Sequence, residues 1–225
     1  MDNRVRVCWY CEKWQPGGIQ AVQMNLLQHM DLERIHMDIV VSEDDTALFD
    51  KKMGELGVDK IVTLKETYTS PAKRVFANIF AFGRLVRQGN YDVVHLNVCH
   101  GVEMIYAFWA WLYRVPVRIL HCRNNDIGAG GRSRKLKILC HKICRYLFRD
   151  CANVRLANSD LAAQWLFTKR DRKKNRVRIL KNGINAGKYA FDKEAREKIR
   201  KELGIEDKFV VGHVGHFNYQ KNHEC

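Results

Sequence analysis

Residues 4–30 read RVRVCWYCEKWQPGGIQAVQMNLLQHM and contain a predicted strand, a loop and a helix in that order. Apolar residues alternate from Arg4 to Tyr10, which is typical of a strand, and residues 11–18 form the predicted loop. Apolar side chains then recur at spacings of three and four, as on one face of a helix: Ile19, Val22, Leu26 and Met30. This strand-loop-helix order is the repeating unit of a parallel sheet.

The alternation of strand and helix continues to the end of the chain. Further strands are predicted at 36–42, 61–64, 91–96, 117–122, 154–157, 177–180 and 209–214, and further helices at 46–56, 70–89, 102–113, 135–148 and 194–203, with one more after Ser159. Strands that alternate with helices of about 10–15 residues indicate an α/β fold, a Rossmann-like parallel sheet with helices on both faces. Residues 1–185 can complete one such domain. Residues 186–225 are expected to hold a linker helix and the first strand and loop of a second, incomplete domain.

Positive charge is concentrated in one part of the chain. The net charge is +14, and residues 114–181 hold 19 Lys or Arg against four acidic residues. Such a basic face favours an anionic partner, either membrane headgroups, a phosphorylated ligand or nucleic acid, although a solvated face has the same composition. The run KRDRKKNR at 169–176 has no interleaved aromatic residue to stack on bases. We therefore interpret it as a solvated connector and expect no nucleic-acid partner.

No stretch reaches the roughly 18 consecutive apolar residues of a membrane span. The first residues carry no long apolar region of the secretory kind, and the eight scattered cysteines suit reduced thiols in a cytosol. We therefore expect a cytoplasmic protein, and its basic segment 114–181 further favours a peripheral position at the inner face of the plasma membrane. A metal site is not expected, because Cys8-x-x-Cys11 has no second pair and Cys140 and Cys144 suit the core side of a helix.

Polar residues cluster at the predicted carboxyl ends of two strands, where ligands bind in an open parallel sheet. His95, Asn97 and His100 lie at the end of one strand, and HCRNN at 121–125 ends the other. A functional role is favoured for His121. For His95, which lies within its strand, a structural imidazole bonded to backbone is favoured.

Three loops add glycine or charge at the same predicted edge. Gly17-Gly18 precedes a helix N-terminus and either lets the backbone approach an anion or forms an ordinary turn, but it is not a GxGxxG loop. NGIN at 182–185 directly follows a strand. In the final segment, His216 and Lys221 flank a glycine-bearing loop and are placed to contact a diphosphate, the lysine as a point charge and the histidine as a weaker, pH-dependent donor.

Taken in order along the chain, these motifs resemble glycosyltransferase family 4 of the GT-B fold, and among its members those that build bacterial surface polysaccharides and exopolysaccharides. The matching segments are Gly17-Gly18-Ile19, YDVVH at 91–95, His121 after its strand, Ala157-Asn158-Ser159, KNGIN at 181–185, VGHF at 214–217 and QKN at 220–222. The resemblance implies two Rossmann-like domains that face each other across a cleft, the first for the acceptor and the second for a nucleotide-sugar. It also implies retention of anomeric configuration, with no metal or other cofactor.

The resemblance further implies roles for individual residues. His121 would be the catalytic-site residue beside the transferred sugar. The donor diphosphate would be contacted by Gly17, Gly18, His216 and Lys221, where fixed positive groups stabilise the leaving charge as it develops. Cleft residues on the acceptor side would be Asn97, His100, Arg123, Asn124, Ser159, Asn182 and Gly183. The basic segment 114–181 would suit an anionic membrane that presents a glycan or lipid-linked acceptor.

Two departures from the family pattern bear on function. The family has an arginine where this chain has His216, so a bidentate phosphate contact is replaced by a weaker one. The family's two-glutamate donor motif would lie beyond Cys225, so we expect this chain alone to transfer sugar weakly or not at all. Competing interpretations are a non-catalytic membrane-docking subunit, completed by a partner chain with the donor domain, and a basic nucleic-acid-binding module with steep salt dependence.

Overall fold

Residues 3–64, 66, 68, 70–127, 134–213 and 215 are described by a computed structural model of the chain, which forms two compact units, Met1–Gly183 and Ile184–Cys225. The division falls close to the boundary predicted after residue 185. The first unit is an α/β domain, and the second holds short helical elements.

The sheet of the first unit consists, over the described residues, of seven parallel strands: β1 Val5–Trp14, β2 Ile35–Asp44, β3 Asp59–Val62, β4 Val93–Val98, β5 Val117–Cys122, β6 Val154–Ala157 and β7 Val177–Ile179. Their order across the sheet is β3-β2-β1-β4-β5-β6-β7. The order reverses direction at β1, because the chain first builds outward to β3 and then returns to place β4 on the other side. The predicted Rossmann-like parallel sheet is confirmed.

Helices connect the strands: α1 Gly18–Leu27, α2 Asp50–Glu55, α3 Pro71–Gly89, α4 Ile105–Leu112, α5 Arg134–Leu147, α6 Asp160–Leu166 and α7 Lys169–Lys173, with a 3-10 helix at Gly101–Met104. The second unit contains a 3-10 helix, Ala186–Tyr189, and α8, Lys193–Glu202. The hydroxyls of Ser159 and Thr168 and the carboxylate of Asp192 cap α6, α7 and α8 by accepting a backbone N–H of the first turn. None of the helices within the described residues has the length and apolar character that crossing a bilayer requires.

Side chains of β1 alternate between two cores, one on each face of the sheet. Cys8 and Tyr10 enter the core that α3, α4 and α6 cover, whereas Trp9 and Cys11 enter the core that α1 and α2 cover. A parallel strand buried on both faces has few polar positions, which explains the almost continuous apolar run of the β1 sequence. The two cores confirm helices on both faces of the sheet.

Strand β1 is longer than predicted. It continues through Trp14 instead of ending at Tyr10, because the Trp14 side chain is fully buried and its backbone pairs with Asp44 of β2. Two charged residues lie in this added part of the strand. Glu12 is exposed, and Lys13 Nζ lies 2.7 Å from the Glu43 carboxylate. The loop before α1 is therefore shorter than the sequence suggested.

Two further elements differ from their predictions for local reasons. Strand β4 begins at Val93 and not at Tyr91, because Asn90 adopts a left-handed backbone (φ 47°) and the Tyr91 hydroxyl donates to Asp38 at 2.7 Å. The charged run predicted as a connector contains the short helix α7. Thr168 caps it, accepting from the Asp171 N–H at 3.2 Å.

The strand predicted at 209–214 is wrong for the residues that the structure describes there. Residues 209–213 belong to no strand, and the Phe209 side chain is 94% exposed. An extended segment needs paired neighbours and a covered face before it becomes a stable strand. The apolar sequence of this segment therefore predicts a strand, but the segment lacks the paired neighbours that a strand requires.

A buried polar network joins the first half of the sheet to its covering helices. Asn78 Nδ2 of α3, which carries two N–H bonds, lies within hydrogen-bonding distance of three hydroxyls, those of Tyr10 (3.1 Å), Tyr106 (2.6 Å) and Ser42. Its Oδ1 accepts from Thr63 Oγ1 at 2.6 Å. One amide thus ties α3 to strands β1 and β2, to the end of β3 and to α4. Every member has a partner, which makes the network stabilising as a whole.

Replacement of Asn78 by Ala removes this hub and leaves several buried hydroxyls with fewer partners. We expect the free energy of unfolding of the Asn78→Ala variant to fall by about 2–4 kcal/mol. Urea unfolding followed by tryptophan fluorescence measures the loss for the first unit alone, because all five tryptophans lie within residues 1–183. The exposed Asn3→Ala control should change by less than about 0.5 kcal/mol. Equal free energies of unfolding for the two variants would show that the network does not contribute to stability.

Candidate functional site

Polar side chains meet at the carboxyl ends of β4 and β5, in the middle of the sheet. Asn97 of β4 and His121 of β5 are direct partners in the strand register. Arg123 follows β5, and Asn182 follows β7 after only two intervening residues. The structure therefore brings together four of the residues that the sequence assigned to the site, and it does so at the edge where parallel sheets bind ligands.

Arg123 is the residue that connects the others. Its Nε donates to Asn97 Oδ1 at 2.8 Å, and its Nη1 donates to Asn182 Oδ1 at 2.7 Å. Its Nη2 lies 3.3 Å from Nδ1 of His121. Burial lowers the pKa of Arg123 to about 10, which leaves the guanidinium charged at neutral pH. A planar cation with several fixed donors thus sets the position of three neighbouring side chains.

The arginine also determines the tautomer of His121. An arginine can only donate, so Nδ1 of His121 must accept, and the ring proton then resides on Nε2. Burial and the nearby Arg123 charge lower the pKa of His121 to about 3, so the imidazole is neutral. Nε2 is buried and finds no hydrogen-bond partner among the described residues. A neutral N–H donor is therefore held in place without an acceptor.

His95 was assigned a structural role with a backbone partner, and the structure corrects the partner. Its Nε2 lies 3.2 Å from Nδ1 of His121, and its ring stacks on His121 at 5.4 Å and on Trp9 at 5.1 Å between centroids. Burial first, and then the neighbouring His121 and Arg123, hold its pKa well below the usual range. His95 thus packs against the His121 ring and holds its position. A single histidine within a strand sequence gives no indication of this role.

The N-terminus of α1 lies after β1, which is the strand next to β4. Gly17 occupies the cap position and supplies no side chain to the free N–H groups of the first turn. No heavy atom would lie within 4 Å of a Cβ at Gly18, so that position is open space among the described residues. Uncapped N–H groups and the helix dipole favour an anion there.

The remaining predicted site residues lie around this edge with individual partners. Gly183 accepts from Asn25 of α1 at 3.2 Å through its carbonyl oxygen, Ser159 caps α6, and Asn124 accepts from the Cys122 thiol through its backbone carbonyl. His100 precedes the 3-10 helix, and its buried Nδ1 has no partner in the described part of the chain. His216 and Lys221, assigned to the donor diphosphate, lie outside the described residues.

Glu103 is a buried acid near this edge that the sequence interpretation missed. Its Oε2 accepts the backbone N–H groups of Cys99 and His100, while its Oε1, 3.7 Å from the His100 ring, accepts no hydrogen bond from any described residue. Burial raises the pKa of Glu103 to about 7. The available signal was an acid three residues after His100 at the start of an apolar helix, the spacing of a capping box.

Among the described residues, the one group of three ligand-type side chains whose atoms converge lies elsewhere. Cys8 and Cys11 point to opposite faces of β1, so the pair cannot converge on one ion. His36, Asp38 and Asp59 come within 4.8 Å of one another at the start of β2 and β3, away from the carboxyl ends. Asp38 already pairs with His36 at 3.2 Å and Arg6 at 3.8 Å, so these groups form an ion-pair cluster.

Because its pKa is raised in the folded state, Glu103 is expected to lower the free energy of unfolding as the pH rises. The unfolded carboxyl titrates near 4.5 and the folded one near 7, so between these values only the folded state keeps the proton. The resulting loss is about 3 kcal/mol in the free energy of unfolding, complete above pH 7. Glu103→Gln mimics the protonated acid and removes the dependence.

Urea unfolding of the parent and of Glu103→Gln from pH 4 to pH 8 measures this directly. The variant should be about as stable as the parent at the acid end and more stable at the alkaline end. Histidines remote from Glu103 affect both proteins equally, so the difference between them isolates the carboxyl together with its interaction with the adjacent His100. A difference that stays constant across the range would contradict a raised pKa.

Comparison with known proteins adds four findings. The family model described as Glycosyltransferase Family 4 matches residues 16–188. EpsF of Bacillus subtilis (strain 168), a protein provisionally named a glycosyltransferase, is 27% identical over 229 residues, which cover 99% of this chain and 56% of that protein. The crystal structure of Anabaena HepE (Alr3699) with UDP-glucose superposes with a TM-score of 0.71 at 15% identity, over 98% of this chain and 56% of that one.

A UDP-GlcNAc 2-epimerase from Neisseria meningitidis, bound to UDP-GlcNAc, gives a TM-score of 0.57 at 10% identity, over 89% of this chain and 53% of that one. At such low identities the solved structures show the fold alone. The chain spans about half the length of these relatives. The family match, in contrast, covers α1 to the end of the first unit and includes His121, Arg123 and Asn182. On this match, the chain belongs to glycosyltransferase family 4.

Proposed function

We propose that the chain is the acceptor-side, N-terminal part of a retaining glycosyltransferase. In this proposal a sugar passes from a nucleotide-sugar donor to a glycan or lipid-linked acceptor during surface polysaccharide synthesis. Support comes from membership of the family, from the name of the EpsF relative and from the UDP-glucose bound to HepE. No metal or other cofactor is proposed, because charged and polar side chains suffice for the charge that develops on the leaving group.

The observation that carries the proposal is the buried N–H of His121. A buried donor without an acceptor costs about 1–3 kcal/mol, and Arg123 and His95 hold the ring so that this donor cannot turn to a protein partner. A sugar hydroxyl is a suitable acceptor for a neutral imidazole N–H. His121 would thus bind and orient the transferred sugar at the carboxyl edge of the sheet.

The other residues of the edge would act around this contact. The acceptor hydroxyl attacks the anomeric carbon, the bond to the diphosphate oxygen breaks, and the hydroxyl proton leaves with the departing diphosphate. The free N–H groups after Gly17 and the side chains of Lys221 and His216 would stabilise that anion. Asn97, Asn182 and Arg123 would hold the acceptor side of the cleft, with His100, Asn124, Ser159 and Gly183 around them.

The proposal extends to location and to the basic segment 114–181. A cytoplasmic enzyme at the inner face of the plasma membrane would meet lipid-linked acceptors there, attracted by anionic headgroups. Residues 1–225 span about half the length of the relatives, and the family's two-glutamate donor motif is expected in the other half. We therefore propose that the chain alone transfers sugar weakly or not at all.

A second candidate is a docking subunit completed by a partner chain with a donor domain. The observation that favours it is the exposure of large apolar side chains in the unit 184–225, among them Tyr189 at 75% and Phe191 at 79%. Side chains of this size are normally covered. Co-purification with a chain that carries the two-glutamate motif would favour this candidate over the first.

Transfer assays on membranes test the proposal. Cells expressing the chain, with and without the coding sequence that follows codon 225, supply membranes for incubation with radiolabelled UDP-glucose or UDP-GlcNAc. We expect label in lipid or polysaccharide fractions only when a donor half is present. His121→Ala should reduce that transfer by about 10²–10³-fold, the usual effect of losing one preorganised donor.

His29→Ala is the matched control, because His29 is an exposed histidine just after α1 in the same unit. Its transfer rate should equal that of the parent. Strong transfer by the 225-residue chain alone would contradict the proposed incompleteness. Equal rates for His121→Ala and His29→Ala would instead contradict the assignment of the site.

A further inference from the structure

Helix α5 exposes an apolar stripe on its outer side. Five large side chains are between 48% and 68% exposed: Leu136, Leu139, Ile143, Tyr146 and Leu147. At 100° per residue they lie within an arc of about 100°, the width of the apolar face of an amphipathic helix. In an ordinary surface helix that face points into the core. Here it points outward.

The opposite side of α5 is fixed to the domain. His141 is buried, accepts the Gly101 N–H at 2.8 Å through Nδ1, and stacks on Trp165 at 4.1 Å between ring centroids. Arg145 donates to the Phe167 carbonyl. These contacts fix the rotation of the helix about its own axis. The stripe (Leu136, Leu139, Ile143, Tyr146, Leu147) therefore cannot turn inward without breaking a buried hydrogen bond.

One flank of the stripe is cationic. Residues 134–149 contain six Lys or Arg and no acid. Lys135 and Lys142 lie beside the stripe on the helix wheel and have no ion-pair partner in the described parts of the chain. The helix thus combines an outward apolar stripe with uncompensated positive charge along its border.

We propose that α5 is a membrane-docking helix that lies in the plane of an anionic bilayer, with its stripe inserted among the headgroups and Lys135 and Lys142 on lipid phosphates. Leucine and tyrosine in the interface with lysine at its border are the composition of an interfacial helix. A second copy of the chain is a poorer occupant, because a symmetric contact through α5 would bring two sets of cations together.

The neighbouring helix α4 also exposes a large aromatic side chain. Phe148, directly after α5, contacts Phe108 of α4 at 6.1 Å between centroids, and Phe108 contacts Trp111 at 5.8 Å. The Trp111 side chain is half exposed. A half-exposed tryptophan is typical of a bilayer interface, where the ring remains near the headgroups.

The inference deepens the proposed membrane location, on which it rests for its biological meaning, but its test requires no sugar transfer. The purified 225-residue chain is sedimented with vesicles of equal parts phosphatidylglycerol and phosphatidylcholine, and with vesicles of phosphatidylcholine alone. We expect binding to the anionic vesicles only. The double variant Leu139→Ser, Ile143→Ser should lower the partition coefficient at least tenfold, because two inserted side chains are lost.

The matched control is Leu48→Ser, Leu161→Ser, since each of these leucines is 61% exposed and belongs to an element other than α5. This control should bind as the parent does. The double variant Lys135→Gln, Lys142→Gln should bind anionic vesicles more weakly, by roughly fivefold per lysine. Salt near 1 M screens these charges, so the parent should lose the same electrostatic part of its binding there. Lys51→Gln, Lys198→Gln serves as its control, with the same change of net charge.

Three outcomes would overturn the proposal. One is equal vesicle binding by the stripe variant and the Leu48/Leu161 control, which would show that general electrostatic attraction, and not insertion of the stripe, causes the binding. Another is binding to neither kind of vesicle. The third is a dimer in analytical ultracentrifugation that the stripe variant abolishes, which would make the stripe an interface between copies. Loss of vesicle binding with the sugar-transfer prediction intact, or the reverse, separates this inference from the proposed function.

Discussion

Parallel pairing of β1 with β2 on one side and β4 on the other is the constraint on which the first unit depends. Because β1 lies inside the sheet, both of its faces must be covered, and its side chains alternate between two cores. The same pairing brings the carboxyl end of β1, with the α1 N-terminus after it, beside the carboxyl end of β4. Every group at the candidate site is positioned relative to that edge.

The edge then holds polar groups at an energetic cost that the apolar cores offset. His95 and His121 are buried imidazoles with lowered pKa values, and Arg123 is a half-buried cation. Desolvation disfavours each charge, and the orphaned Nε2 proton of His121 adds a further penalty. Selection for stability alone would not favour this combination of residues. A ligand that accepts from His121 would recover part of that cost.

Much of this arrangement follows from the sequence, and the exceptions have physical causes. Periodicity predicts every strand of the sheet, and the rule that ligands bind at the carboxyl ends of parallel strands predicts one shared edge for Asn97, His121, Arg123 and Asn182. Neither rule assigns partners to His95 or Glu103, because these depend on which rings and N–H groups the register brings opposite. The final apolar segment 209–213 failed as a strand since pairing, not propensity, makes a strand.

The outward stripe of α5 is the instructive exception, because its sequence has the periodicity of a core helix. The rotation of α5 about its own axis is set by a small number of contacts on the side opposite the stripe. A Cβ on Gly101 would lie 2.3 Å from the His141 carbonyl oxygen, so only glycine lets the 3-10 helix approach the α5 backbone so closely. That approach seats His141 inward and leaves the leucines outside. The 3-10 helix follows β4 after two intervening residues, so the contact that turns the α5 stripe outward is built next to the strand that supplies Asn97 to the site. Docking and acceptor binding would therefore share one rigid support, which favours an acceptor that is itself held at the membrane surface.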